Sequence, residues 1–336
     1  MSRKEKKKNG ILKVFIVLIC IVCIIIGIGG IFIWSKLNLM EYAKLDKDKL
    51  GIENTLQEVN KHLEEDIKEK DMKKIKNILL LGSDTRNTQN MSAGRSDTMI
   101  VFSINPIKNS IKLISIPRDS YVNIEGRGMD KLNHAYAYGG EELLIKTINQ
   151  NFNLNITEYV TIDFTNLAKI IDEIGGVEVE IDEAERRYIN AGSPEIYRLI
   201  GTKRKILNSS GKVILDGPQA VTYARDRTNG NDFSRQMRQQ NVVKGAINKI
   251  TTLSMDRIMS LVDTCLKQVR TNVNVLSYTG LLTDVLAQRD EYMQNIYQAQ
   301  IPDQSFGVGK KINGIYYLTY DDAEAQRRFA DYIYNK

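Results

Sequence analysis

The chain has 336 residues, 42% of them hydrophobic and 26% charged, an ordinary globular composition with room for one large or two modest domains. Its formal net charge is +6, of which residues 1–13 carry +5, so the rest is nearly neutral and lacks the basic footprint of a nucleic-acid binder. Only two histidines, His62 and His134, are present, which leaves little room for Ser-His-Asp or Cys-His chemistry.

In chain order, a basic tail (1–13) precedes Val14–Trp34, an uncharged 21-residue run. A helix of that length rises enough to cross a hydrocarbon core of about 30 Å. The flanking lysines predict a single-pass signal anchor with a cytoplasmic N-terminus and an extracytoplasmic body. No small-x-small cleavage site follows the run, which disfavours a removed signal peptide. Cys20 and Cys23 lie inside the span, so Cys265 is the single thiol outside it and no intrachain disulfide is expected there.

Residues 35–76 are rich in Lys, Glu and Asp, with Leu56, Val59, Leu63 and Ile67 at helical spacing, and read as a helical stalk or membrane-proximal segment. The body, 77–336, opens with three aliphatic runs, Ile78–Leu81, Thr98–Ile104 and Ile111–Ile116, which predict buried strands. Asn105-Pro106 and Lys108–Ser110 make the second and third an antiparallel hairpin. A helix is expected to open at Glu141 after Gly139-Gly140 and run to about Asn151. Then follow a strand at Tyr159–Phe164, a helix at Asn166–Ile174 stopped by Gly175-Gly176, and a strand at Val177–Ile181. Residues 184–212 carry little pattern and read as a loop with short elements.

Asp216, Pro218 and Gln219 form a helix start, and a second, long helix runs from about Phe233 to Thr251. Further helices are expected near 255–269 and 275–288, a hairpin at Asn313-Gly314 and a last helix at 321–334. Strands alternating with helices predict an α/β fold.

Three strand ends carry acids and arginines: Gly82–Arg86 (GSDTR), Gly94–Thr98 (GRSDT) and Ile116–Ser120 (IPRDS). Strand ends of α/β sheets are where ligands usually bind. Asp84 with Asp97 suits a divalent ion, which commonly takes one or two carboxylates and completes its shell with phosphate oxygens and water. Equally, these are residues of turn-level ion pairs. Tyr223–Gln240 packs four arginines and three glutamines around a helix-loop-helix junction, with Arg235, Arg238 and Gln239 on one helix face. Converging guanidiniums fit phosphate or carboxylate oxygens, the equipment of phosphoryl transfer by positioning and charge neutralisation. A salt-bridged, solvated helix is the plainer reading.

NILLLGSDTR, GRSDTM, SIPRDSYV, DFTNLAKIIDEIGGVEV and YARDR followed by DFSRQMRQQ, in this order over 77–249, resemble the LytR-CpsA-Psr family. The resemblance implies an α/β/α sandwich with a mixed central sheet, preceded by one transmembrane helix. It also implies an envelope transferase that moves a glycopolymer (wall teichoic acid, capsular polysaccharide or similar) from an undecaprenyl-pyrophosphate carrier to peptidoglycan. Carried onto this chain, Asp84 and Asp97 become the Mg²⁺ (or Mn²⁺) carboxylates. Arg95, Arg118, Arg225, Arg227 and Arg235 become the pyrophosphate ligands, with Arg238 and Gln239 in the same block. Asp97 and Asp232 are the candidates for taking the acceptor's proton. A prenyl-pyrophosphate hydrolase using the same residues, or a non-catalytic membrane-anchored regulator, are the alternatives.

Overall fold

The computed structural model describes residues 41–42, 45–52, 67–83, 96–227, 232–250 and 288–335, with shorter pieces between 59 and 63 and between 252 and 287. The expected anchor at 14–34 and most of the helices expected at 255–288 lie outside them. In chain order the elements are β1 (Glu41–Tyr42), α1 (Glu69–Met72), β2 (Lys76–Ser83), β3 (Ser96–Asn105), β4 (Ser110–Ser115), β5 (Tyr121–Ile124), β6 (Gly128–Lys131) and α2 (Leu132–Phe152). Next come β7 (Glu158–Asp163), α3 (Phe164–Ile174), β8 (Val177–Ile181), α4 (Glu183–Ile200), β9 (Gly211–Leu215), α5 (Gly217–Arg225) and α6 (Asp232–Ile250). The last are β10 (Arg270–Thr271), α7 (Arg289–Gln294), β11 (Ile296–Gln300), β12 (Val308–Ile312), β13 (Ile315–Thr319) and α8 (Asp322–Ala330). Two compact units divide the chain, one holding Phe164–Gln294 and the other Ala43–Asp163 with Asn295–Lys336.

The second unit is built on strands of the central sheet in the order β7-β2-β3-β4-β11. β2 pairs antiparallel with β3, and β3 with β4, while β7 and β11 join in parallel, so the sheet is mixed as expected. The aliphatic runs are buried as the sequence predicts, because side chains alternate between two covered faces. Leu79, Leu81, Val101 and Ile114 join Leu144, Ile148 and Phe152 of α2 and Phe329 of α8 in one core. The acidic and basic stretch before the sheet also contributes: Leu50 and Val59 are buried in that core, and Leu63 and Ile67 pack against it. At Asn313-Gly314 both residues take positive φ, 51° and 81°, closing the β12–β13 hairpin as its Asn-Gly pair predicts.

α2 begins nine residues earlier than the Glu141 start read from the sequence. Gly139 and Gly140 form a kink within it, Gly140 at φ 61°. Its first N–H groups are satisfied by carbonyls, Leu132 donating to Ser120 and Asn133 to Arg118 at 2.9 and 3.1 Å, so no capping side chain marks the start.

In the first unit, Gly175 and Gly176 at φ 87° and 89° stop α3 where expected. The expected loop at 184–212 is instead mostly the 18-residue helix α4, begun by a capping box between Asp182 and Glu185. α5 has a second box between Asp216 and Gln219. Its start is fixed further by Tyr197, whose hydroxyl donates to Asp216 at 2.7 Å, and by Gly217, whose N–H donates to Asp172 at 2.8 Å. A Cβ at Gly217 would lie 1.9 Å from the Ala168 carbonyl oxygen, so only glycine permits this approach of α5 to α3.

Lys112 of β4 is fully buried and donates to the Ile333 carbonyl at 3.3 Å. Burial first, and Lys108 second, lower its pKa from 10.5 to about 7. The unfolded chain therefore holds a proton that the folded chain releases, and stability rises with pH between those two values. Replacing Lys112 with Met is expected to flatten that rise, read as urea midpoints at pH 7 and pH 10; parallel curves for the two proteins would contradict it.

Candidate phosphate-binding site

In the second unit, β2 and β3 lose register between Gly82 and Ser83, a bulge of the kind that re-aims nearby side chains. Asp97, the extra residue of that bulge, accepts a hydrogen bond from Arg118 Nη1 at 2.7 Å. Both side chains are about one-fifth exposed. Arg118 follows β4 in a turn closed by the Ser120 N–H donating to the Pro117 carbonyl, and its own carbonyl caps α2. Its Nε lies 3.6 Å from Asp119, whose other oxygen accepts from Lys131 Nζ at 2.7 Å. The result is a chain of alternating charge, Asp97–Arg118–Asp119–Lys131. Asp84, Arg86 and Arg95 lie outside the described residues.

In the first unit, the arginines at the α5–α6 junction divide into two kinds. Arg238 is spent on the scaffold: its Nε donates to Glu185 at 2.6 Å, its Nη1 to the Asp226 carbonyl at 3.1 Å, and its side chain is 8% exposed. Glu185 thereby serves twice, since its second oxygen accepts the Asp182 N–H of the α4 capping box. Asp226 is wholly buried, with a carboxylate oxygen 3.9 Å from Arg238 Nε. Arg225, at the end of α5, is half-buried with its guanidinium 5.0 Å from the centre of the Phe164 ring, and Arg227 is exposed. Among the described residues neither has a carboxylate partner. Arg235 is buried and pairs with Asp232 at 2.8 Å, and Asp232 also accepts from Gln236 Nε2 at 3.1 Å. Gln239 is buried, its Oε1 without a hydrogen bond among the described residues.

Thus Asp97 joins Arg118 in one cluster, and Arg235 joins Asp232 in another. Glu185, Lys131 and Phe164 were not singled out from the sequence, whereas Asp119 was, as the acid of IPRDS. Of those three, Glu185 alone had a readable signal, the D-x-x-E spacing from Asp182.

A family model described as the LytR_cpsA_psr family matches residues 40–331. The chain is similar to the polyisoprenyl-teichoic acid–peptidoglycan teichoic acid transferase TagU of Oceanobacillus iheyensis, 32% identical over 339 residues covering 97% of this chain and 95% of that protein. Among solved structures it resembles TagT bound to LIIa-WTA, with a TM-score of 0.58 at 25% identity, covering 78% of this chain and 91% of that one. Protein gbs0355 from Streptococcus agalactiae aligns with a TM-score of 0.63 at 25% identity, covering 78% and 88% respectively.

Removing Arg238 takes away the cation that the Glu185 carboxylate accepts from and a donor to the Asp226 carbonyl, whereas removing Arg225 breaks no such ion pair among the described residues. Arg238→Ala is expected to cost about 3 to 5 kcal/mol of stability and Arg225→Ala about 1 kcal/mol or less, measured by denaturant unfolding. Equal losses would contradict the division.

Proposed function

The chain belongs to the LytR_cpsA_psr family, and we propose from that premise that it is a membrane-anchored transferase joining a polyisoprenyl-linked glycopolymer to peptidoglycan. The name of the Oceanobacillus relative supports the reaction class. The observation that carries the reading here is the split in the arginine block: Arg238 secures the scaffold while Arg225 and Arg227 present guanidiniums that no carboxylate among the described residues occupies. Guanidinium forks match the oxygens of a pyrophosphate.

In this reading the donor is an undecaprenyl-pyrophosphate glycopolymer, of the class that includes teichoic acids, named for the relative, and capsular polysaccharides. Arg95, Arg118, Arg225, Arg227 and Arg235 bind its pyrophosphate. Arg238 acts as a positioning residue through Glu185 and Asp226, and Gln239 belongs to the same block. An acceptor hydroxyl of peptidoglycan attacks the phosphorus next to the polymer, a new P–O bond forms, and the bridging P–O bond breaks to release polyprenyl phosphate. The product is a phosphodiester, and the hydroxyl proton passes to a carboxylate, Asp97 or Asp232.

Among the described residues no three acidic, histidine or cysteine side chains cluster to hold a metal. Asp97 is nevertheless suited to a hard cation that draws most of its ligands from phosphate and water. With Asp84 it would hold Mg²⁺ or Mn²⁺, which when bound offsets charge on the phosphate oxygens. No helix among the described residues is long and apolar enough to cross a membrane, and the proposed anchor is Val14–Trp34, with the body outside the cell.

Arg118→Ala and Arg225→Ala are each expected to slow transfer of lipid-linked polymer to peptidoglycan by about a hundredfold or more. Chelation of divalent ions should stop the reaction and added Mg²⁺ restore it. Transfer at the unmodified rate by both variants would overturn the reading and favour a non-catalytic envelope protein.

A further inference from the structure

Next to Arg118, within the same unit, four tyrosines gather on two small hairpins and the start of α2. β5–β6 places Tyr121 opposite Lys131. β13 lies alongside through the bridge between Ser120 and Leu318, with the Leu318 N–H donating to the Asp119 carbonyl at 2.8 Å. Tyr121 and Tyr317 meet with ring centres 4.7 Å apart, and Lys131 Nζ lies 5.8 and 5.9 Å from the rings of Tyr317 and Tyr316. Asp130 accepts from the Tyr138 hydroxyl at 2.9 Å and contacts His134 Nδ1 at 2.8 Å. The Arg127 guanidinium sits 4.7 Å from the centre of the Tyr138 ring.

Two of these rings are open to solvent, Tyr138 at 44% and Tyr316 at 47% exposure. Neither is a loose surface side chain. Tyr138 is held by Asp130 and Arg127 just before the Gly139-Gly140 kink. Tyr316 lies across Gly309 of the neighbouring strand, so closely that a Cβ there would come within 2.8 Å of the ring. Rings held in place yet nearly half exposed, bordered by Asp130, Lys131, Asp119 and Arg127, combine flat apolar area with polar groups at the edge. A pyranose has the matching chemistry, one apolar C–H face and a rim of hydroxyl and amide groups. Exposed apolar area rimmed by polar residues marks a ligand surface.

We propose that this tyrosine platform binds the saccharide chain of the acceptor, an oligosaccharide of alternating N-acetylated hexosamines, with Tyr316 and Tyr138 stacking on sugar rings. The proposal rests on the transferase reading for the identity of the glycan. It draws on continuity as well: Lys131 and Asp119 connect the platform directly to Arg118, so a bound glycan would have a hydroxyl near the phosphate-binding charges.

The test uses the full chain in detergent and two probes, a peptide-free peptidoglycan tetrasaccharide and the lipid-linked polymer. Tyr316→Ala and Tyr138→Ala should each weaken tetrasaccharide binding at least tenfold, leave lipid-linked polymer binding within twofold, and raise the KM for the acceptor more than they lower kcat. Tyr316→Phe should restore binding, since stacking needs the ring and not the hydroxyl; its recovery separates loss of contact from loss of folding. Arg118→Ala should show the opposite pattern, weakened polymer binding and retained tetrasaccharide binding. Tetrasaccharide binding that is absent in the unmodified chain, or unchanged in both alanine variants, would overturn the platform. Tyrosine-dependent tetrasaccharide binding without any polymer transfer would uphold the platform while the transferase reading fails.

Discussion

The arginine block depends on one buried ionic bridge. Arg238 on α6 reaches Glu185 on α4 and Asp226 in the segment after α5, and nearly all of it is out of water. Burying these charges is costly unless each is paired, so the bridge is a constraint more than a source of stability. It ties α6 to α4 and to Asp226, the residue that ends α5. Because Glu185 also closes the α4 cap, a local helix start and a contact 53 residues away are made by one carboxylate. Arg225 and Arg227 emerge from a segment whose path is thereby set, and Gly217 fixes the other end of α5 against α3.

The second unit solves a similar problem with a sheet. Its antiparallel β3–β4 pairing sets the start of β3 beside the end of β4, so Asp97 and Arg118, 21 residues apart, meet at 2.7 Å. The α2 helix has no capping side chain and takes the Arg118 and Ser120 carbonyls instead, which ties the arginine's backbone to the helix that carries His134 and Tyr138. Arg118, Asp119 and Lys131 of the charge chain and Tyr121 and Tyr138 of the aromatic surface therefore share one short stretch of chain, from Ile116 to Tyr138.

Much of the fold was legible because burial leaves a plain mark. The aliphatic runs of β2, β3 and β4, the glycine stop after α3, the Asp216 box and the Asn313-Gly314 turn all matched local physical requirements. Two misses have physical causes. In α4, Gly192, Ser193 and Pro194 interrupt the apolar spacing, so its periodicity was hidden although its capping box was present in the sequence. α2 starts on carbonyl caps made by distant residues, and the glycine pair read as its beginning is a kink. For the site, the residue types and the arginine block were readable, but the partners were not. That Arg238 is bound by Glu185 while Arg225 rests on Phe164 is decided by packing, and the tyrosine platform is assembled from residues nearly 200 positions apart in sequence, such as Tyr121 and Tyr316.

In the proposed transfer the polymer leaves its lipid carrier together with one phosphate. A lipid-linked donor labelled with ³²P at the phosphorus next to the polymer, incubated with the full chain and peptidoglycan, tests it directly. The label should become insoluble with the peptidoglycan and remain in an alkali-stable phosphodiester or its defined cleavage product, while unlabelled polyprenyl phosphate is released. Label released as free polymer phosphate, with none on peptidoglycan, would contradict the account and identify water as the acceptor.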